Sequence, residues 1–280
     1  MHSFRAWRFP AAGLAAACAV AVTLAPAVAS DLDAARGTFD RTLSVASGVP
    51  LEVHTGSGDI RVHPGPAGRV HIVGKVRVQK HWWRAKGTAE RRLREILSRP
   101  PIEQTSTGVV VGRDNDHDLF QNVSIDYVIE APPGTRLKGR TGSGDILTRG
   151  LAASVDVSTG SGDIAVRDAS GDARAETGSG DIVLYGVSGT LNAGTGSGDI
   201  TAQGAPKADW KLGTGSGDVV LHVPRDAAFS LDVRTGSGDV QCTHPVTVTG
   251  RLGSHLARGA VNGGGPTVRV ETGSGDVTVD

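Results

Sequence analysis

The sequence predicts an all-β chain: a single-stranded parallel β-helix, or β-solenoid, wound right-handed, with a short helical insert near its N-terminus. Three observations lead there. The pentapeptide TGSGD occurs eight times, beginning at Thr55, Thr141, Thr159, Thr177, Thr195, Thr214, Thr235 and Thr272. Each copy sits between two stretches in which apolar and polar residues alternate. The composition is poor in aromatic residues, at 4%, and rich in glycine, with 40 in 280 residues. Such a composition disfavours a large aromatic core and suits a repetitive β structure with small interior residues.

Successive copies begin 86, 18, 18, 18, 19, 21 and 37 residues apart, and a fixed period of about 20 residues marks a solenoid. A meander of hairpins with TGSGD as the loop would bury the same residues. Parallel stacking is preferred because it sets Thr above Thr and Asp above Asp, whereas hairpins would hold equivalent positions about 10 Å apart.

Taken in chain order, the first segment is a secretory leader. Arg5 and Arg8 precede an apolar run, and Ala27-Val28-Ala29 places small residues where signal peptidase needs them. Residues 1–29 are read as a signal peptide cleaved after Ala29, residues 30–280 as one repeat domain, and the destination as the periplasm or the exterior. A membrane anchor and a lipoprotein modified on Cys18 are the competing readings. Removing the leader leaves 27 Lys and Arg against 29 Asp and Glu, a balance that gives no reason to expect nucleic acid. Cys242 then stands alone, so no intramolecular disulfide can form.

Leu51, Val53, Ile60 and Val62 flank the first corner with inward-facing alternation. An insert follows and accounts for the long first interval. Within it, Ala85, Ala89, Leu93, Ile96 and Leu97 form one apolar stripe, which predicts a helix over about 82–100, ended by Pro100-Pro101. Such a helix would cover an open end of the solenoid. Between Gly74 and Arg99 stand nine Lys or Arg against Glu90 and Glu95. Trp82 and Trp83 with Arg91 and Arg92 are therefore a candidate surface for an anionic envelope polymer or lipid headgroup. Asp114-Asn115-Asp116-His117-Asp118 begins like a calcium loop, but Leu119 replaces the glycine and Ile125 the final acid. It is read as a solvated loop between strands Thr107 to Val111 and Val123 to Ile129.

In the serial repeats, the residues two and four before each Thr are apolar, as in Val157 and Val155, Ala175 and Ala173, or Leu212 and Trp210. After the corner, Ile164 and Val166, Ile182 and Leu184, Val219 and Leu221, Val240 and Cys242, Val277 and Val279 continue the inward set. Cys242 is accordingly expected inside the last coils as a small hydrophobe. Length varies only in the second corner of each unit, where insertions bulge outward.

Within the corner, glycine permits positive φ, Thr can bond to the Thr of the next coil, and Asp can accept turn amides. Stacked aspartates repel by roughly 1 kcal/mol per neighbouring pair in water, so amides or a cation must offset them. Asp145, Asp163, Asp181, Asp199 and Asp218 are thus candidate calcium ligands, although the repeat lacks the paired acidic turns of nonapeptide calcium rolls. No catalytic set is expected. Equivalent Asp residues lack the separated environments that acid and base roles require, and GxSxG, HExxH and Walker loops are missing.

The order of parts carries a resemblance: a leader, TGSGDI, an insert, VSIDYVIEAPPGTRL, serial TGSGDI units, and VNGGGPTVRVETGSGDVTV. Over residues 38–280 it resembles the bacterial toastrack family of β-strand repeat proteins of unknown function, whose members carry the label "putative adhesin". The resemblance implies a parallel β-helix-like fold, an extracytoplasmic place, and a role in adhesion or envelope stress. It brings no catalytic residues and no cofactor.

One irregularity points to a partner surface. The outward positions Arg61, Thr201, Gln241 and Thr278 of the second strands are polar, but Leu147, Ala165, Val183 and Val220 are not. Leu147, Ala165 and Val183 would stack into an apolar stripe, to be covered either by the helix near Leu93 and Leu97 or by a second protein, such as another copy of this chain. The expected function is a non-enzymatic, envelope-associated scaffold that meets an envelope protein or anionic surface polymer. The alternative is a calcium-dependent carbohydrate-binding or polysaccharide-degrading β-helix.

Overall fold

The computed structural model describes residues 34–79, 87–112, 117–151, 153–248 and 253–280. The leader, Trp82 and Trp83, and Asp114 to Asp116 lie outside them. In chain order the N-terminal part contains β1 (Ala34–Ser44), β2 (Pro50–Ser57), β3 (Ile60–Pro64), β4 (Arg69–Gln79) and α1 (Gly87–Ser98). It continues through β5 (Ile102–Gln104), β6 (Val109–Val111), α2 (His117–Phe120) and β7 (Val123–Ala131). The serial repeats follow as the pairs β8 (Arg136–Ser143) and β9 (Ile146–Arg149), β10 (Val155–Ser161) and β11 (Ile164–Arg167), β12 (Ala173–Ser179) and β13 (Ile182–Tyr185). Two more pairs are β14 (Leu191–Ser197) with β15 (Ile200–Gln203), and β16 (Trp210–Ser216) with β17 (Val219–His222). Last come β18 (Phe229–Ser237), β19 (Val240–Cys242), β20 (Val246–Val248), β21 (Leu256–Val261), β22 (Thr267–Ser274) and β23 (Val277–Val279).

The first strand of every TGSGD unit enters a 12-stranded sheet ordered β20-β21-β18-β22-β16-β14-β12-β10-β8-β2-β6-β5. The second strand enters an 11-stranded sheet ordered β1-β4-β7-β3-β9-β11-β13-β15-β17-β23-β19. Pairing between coils is parallel and in register, Thr159 opposite both Thr141 and Thr177. That pairing excludes the hairpin meander, and the chain is a β-solenoid. The alternating residues converge between the sheets: Val155, Val157, Ile164, Val166, Leu212 and Val219 are at most 1% exposed.

The stacking order departs from the sequence order at the C-terminal end. β22 lies between β16 and β18, and β23 between β17 and β19. From β17 the chain passes over one rung to build β18 and β19, turns back through the antiparallel β20 and β21, and only then fills the skipped rung. The turn into β22 uses Asn262, Gly263 and Gly264 with φ of 49°, 91° and 83°, the left-handed values that these residue types tolerate. Cys242, expected inside the last coils, is therefore on an edge strand and only half-buried. Its thiol is still pushed up by burial.

At this edge, Asp232 is buried, and its Oδ2 accepts a bond from Arg258 at 2.6 Å, with Arg269 at 3.7 Å and Arg234 at 3.5 Å from its two oxygens. Burial alone would raise its pKa, but the Arg258 hydrogen bond and the charges of Arg258, Arg234 and Arg269 outweigh it and hold the carboxyl below the usual range. A carboxylate with a depressed folded pKa contributes stability that is present above its unfolded pKa, about 3.9, and is lost as pH falls through the folded value. Asp232→Asn is therefore expected to lower the melting temperature at pH 7 and to leave little difference at the lowest pH at which both proteins fold. A constant difference across the acid range would show that charge is not the cause.

At the other end the insert hides a degenerate coil. Val109, Val110 and Val111 pair in parallel with Leu51, Glu52 and Val53, while Tyr127 stands opposite Ile60. The coil thus lacks the TGSG corner, and Asp126-Tyr127 takes the place of Asp-Ile. β1, β4 and β7 extend the 11-stranded sheet in antiparallel fashion. The helix packs on the inner side of β1 and β4 with Ala89, Leu93 and Ile96 buried; a Cβ on Gly37 would fall 2.6 Å from Leu97 Cδ1. Of the predicted stripe, Ala89, Leu93, Ile96 and Leu97 lie on α1 and cover the open end of the core, as the sequence led us to expect, and not the row at Leu147 and Val183; Ala85 lies outside the described residues.

Tyr127 is fully buried, its ring edge-on to Phe39, and its hydroxyl has no hydrogen-bond partner among the described residues. Burial pushes its pKa far above the ordinary phenol value. Deleting an unpaired buried hydroxyl removes a desolvation penalty, so Tyr127→Phe is expected to hold stability or raise it by about 1 kcal/mol. Thermal melting checks this, and a drop of several degrees would reveal a bonded hydroxyl.

Candidate binding surface

The repeated corner is a joint between coils before it is anything else. Thr159 is buried, and its Oγ1 donates to Gly144 O of the neighbouring coil at 3.0 Å and lies 3.2 Å from Ser161 O. The same bond recurs from Thr141, Thr177, Thr195, Thr214, Thr235 and Thr272. The expected Thr to Thr bond is thus replaced by a bond to a carbonyl, because in-register parallel coils set each hydroxyl beside the turn peptide of the next rung.

The aspartates form a continuous ladder. Asp163 N donates to Asp145 Oδ1 at 2.9 Å, Asp181 N to Asp163 Oδ1 at 2.8 Å, and Asp199 N to Asp181 Oδ1 at 2.8 Å. It continues from Asp218 N to Asp199, Asp276 N to Asp218, and Asp239 N to Asp276. At the other end Asp145 N binds Asp59 and Asp59 N binds Asp126. Amides therefore take one oxygen of each candidate ligand: Asp145, Asp163, Asp181, Asp199 and Asp218. Among the described residues no group of three or more His, Cys, Asp or Glu side chains converges on a point that could hold a metal ion. Asp126 was missed in the sequence because no TGSG precedes it.

Beyond the ladder, the outer face of the 11-stranded sheet carries two further rows. Residues two and four after each Asp share its face and lie about 7 and 13 Å from it along the strand. The Arg61 to Asp59 ion pair at 2.8 Å spans the first of these steps. The central row runs Leu147, Ala165, Val183, Thr201 and Val220, each in register with the next. All are partly exposed. Since α1 packs on β1 and β4, the described helix does not cover them. The third row runs Arg149, Arg167, Tyr185, Gln203 and His222, hydrogen-bond donors at every position. Arg167 stacks over the Tyr185 ring, its Cζ 5.5 Å from the centroid.

This face differs in kind from the basic region of the insert. There Arg91 is exposed, while Arg92 is spent inside the molecule: its Nε and Nη2 donate to Leu119 O at 3.0 and 2.6 Å, and Nη2 also to Gln121 O. It ties the helix to the segment before β7. The sequence signal for Leu147 and Val183, apolar residues at outward positions, thus leads to an extended three-row surface, whereas Arg92 answers a local structural need.

The family model described as Toastrack DUF4097 matches residues 123–280. Among curated proteins none matches the sequence. Solved structures with a similar trace include a "putative cell adhesion protein" from Clostridium sporogenes ATCC 15579, 14% identical, covering 87% of this chain and 99% of its own, with a TM-score of 0.32. Another is a "putative adhesin" from Bacteroides fragilis NCTC 9343, 12% identical, covering 87% and 97%, with a TM-score of 0.29.

Proposed function

This chain belongs to the Toastrack DUF4097 family, and from that premise we propose that it is a non-enzymatic, adhesin-like scaffold that works outside the cytoplasm and presents its repeated outer face to a partner. The observation that carries the reading is the three-row face: five successive coils repeat one arrangement of acid, small or apolar residue, and donor. Repetition of a single arrangement supports docking over catalysis, because a reaction needs two groups in unlike environments, while a docking face gains from many equal contacts. The aspartates share one environment, each amide-bound to the next coil. The leader, Arg5 and Arg8 before an apolar run ending Ala27-Val28-Ala29, supports the location.

The test is export of the full chain in a bacterial host, followed by fractionation and N-terminal sequencing of the product. The expected result is an extracytoplasmic protein that begins at Ser30. An unprocessed cytoplasmic protein would overturn the location. A melting temperature that rises with Ca²⁺ and not with Mg²⁺ would move the reading to the calcium-dependent carbohydrate binder.

A further inference from the structure

Resting on the scaffold reading, we infer that the partner of the three-row face is a second copy of this chain, joined by a two-fold axis that runs parallel to the solenoid axis. The argument is one of charge placement. A two-fold axis lying in the face along the direction of stacking exchanges the outer rows and preserves the coil, so the acid of each coil meets the donor of the same coil in the partner copy. Asp145 then opposes Arg149, Asp163 opposes Arg167, Asp181 opposes the Tyr185 hydroxyl, and Asp199 opposes Gln203. Each carboxylate has one oxygen on the next coil's amide, and its second oxygen is the acceptor for the partner's donor. A two-fold axis along the strands would instead set acid against acid and donor against donor, which is repulsive.

The central row meets itself, so Ala165 and Val183 pack on their own copies, as an isologous interface requires. Sheets packed face to face lie about 10 Å apart. Two Val side chains fill such a gap, and an Arg or Tyr reaches across it to an Asp.

The match has limits that define the patch. On one side Arg61 enters the central row, held by Asp59. On the other, Asp280 stands at the donor position after Thr278 and already pairs with His222 through Oδ1 and Nδ1. Five strands about 4.8 Å apart and three rows across about 13 Å give a patch of roughly 500 Å² per copy once side chains are included. That is about 1,000 Å² in total, the threshold for a specific interface, so the association is expected to be reversible and weak.

Sedimentation equilibrium of the full chain over a concentration series reads it directly. The expected result is a monomer and dimer in equilibrium in the micromolar range, weakened by salt. Val183→Lys sets like charges face to face and is expected to weaken association at least 10-fold. Arg149→Glu with Arg167→Glu, which leaves the coil ladder intact, should do the same. Adding Asp145→Lys and Asp163→Lys to that variant reverses both rows together and should restore the dimer. Unchanged association in Val183→Lys, or a wild-type chain monomeric throughout the series, overturns the inference. If the quadruple variant melts far below wild type because its ladder is broken, a Val183→Cys variant in a Cys242→Ser background decides. A short bis-maleimide linker that spans the gap of about 10 Å between facing sheets should join two copies through residue 183, and its failure to do so overturns the proposal. Export and processing at Ser30 would be untouched by a monomeric result, so failure of the dimer and failure of the scaffold reading are separable.

Discussion

Val277→Asp is expected to cost about 4 kcal/mol or more, while Val240→Asp at the equivalent position of another coil costs about 1. Both residues are the first inward position after a TGSGD corner. The stacking order separates them. Val277 is on β23, paired with Val219 on one side and Val240 on the other, and is fully buried. Val240 is on β19, at the edge of the sheet, and is only partly buried. A carboxylate at 277 would be enclosed among apolar side chains with no partner; at 240 it can turn towards water. Serial stacking of the coils would reverse the ranking, since residue 277 would then be on the terminal rung. Thermal or urea unfolding of the two variants checks this, and a greater loss in Val240→Asp would refute the inserted coil.

That inversion also shows where sequence reasoning reaches its limit. Alternation fixes which side chains face inward, and the period fixes that Thr stacks on Thr, because a slip of one residue would turn every apolar side chain outward. Neither fixes which coil neighbours which. The TGSGD units are interchangeable in register: Thr272 pairs as well with Thr214 as with Thr235. The order is decided by the length and turn chemistry of the 243–266 segment, where hairpin and loop look alike in a Gly-rich stretch. The coil formed by β6 and β7 was invisible for the opposite reason, since it keeps the inward pattern and the Asp but has lost the corner. Of the face, the apolar break at Leu147, Ala165 and Val183 was legible at once. The donor row was not, because Arg149, Arg167, Tyr185, Gln203 and His222 differ in type and share only a position.

Gly162→Ala is expected to destabilise the fold by about 3 kcal/mol or more, whereas Gly194→Ala, two coils away, should be neutral or slightly stabilising. Gly162 has φ of 144°, a region that side chains rarely enter, and an added Cβ would lie 2.2 Å from Gly144 O and 2.6 Å from Gly144 C. The atom it would strike is the acceptor of the Thr159 hydroxyl. Moving that peptide away strains the Thr159 bond and the neighbouring Asp163 to Asp145 rung, so the damage spreads along the stack. Gly194, on β14, has an ordinary φ, and a Cβ there would meet nothing closer than Gly213 O at 3.9 Å. Its replacement removes backbone entropy from the unfolded chain and places a side chain on a pleated strand. For a chain of this size the first change should lower the melting temperature by roughly 6 to 12 °C. Equal melting temperatures for the two variants would show that the second glycine of TGSGD is not a geometric requirement of stacking, and the corner would then need another explanation for its eight copies.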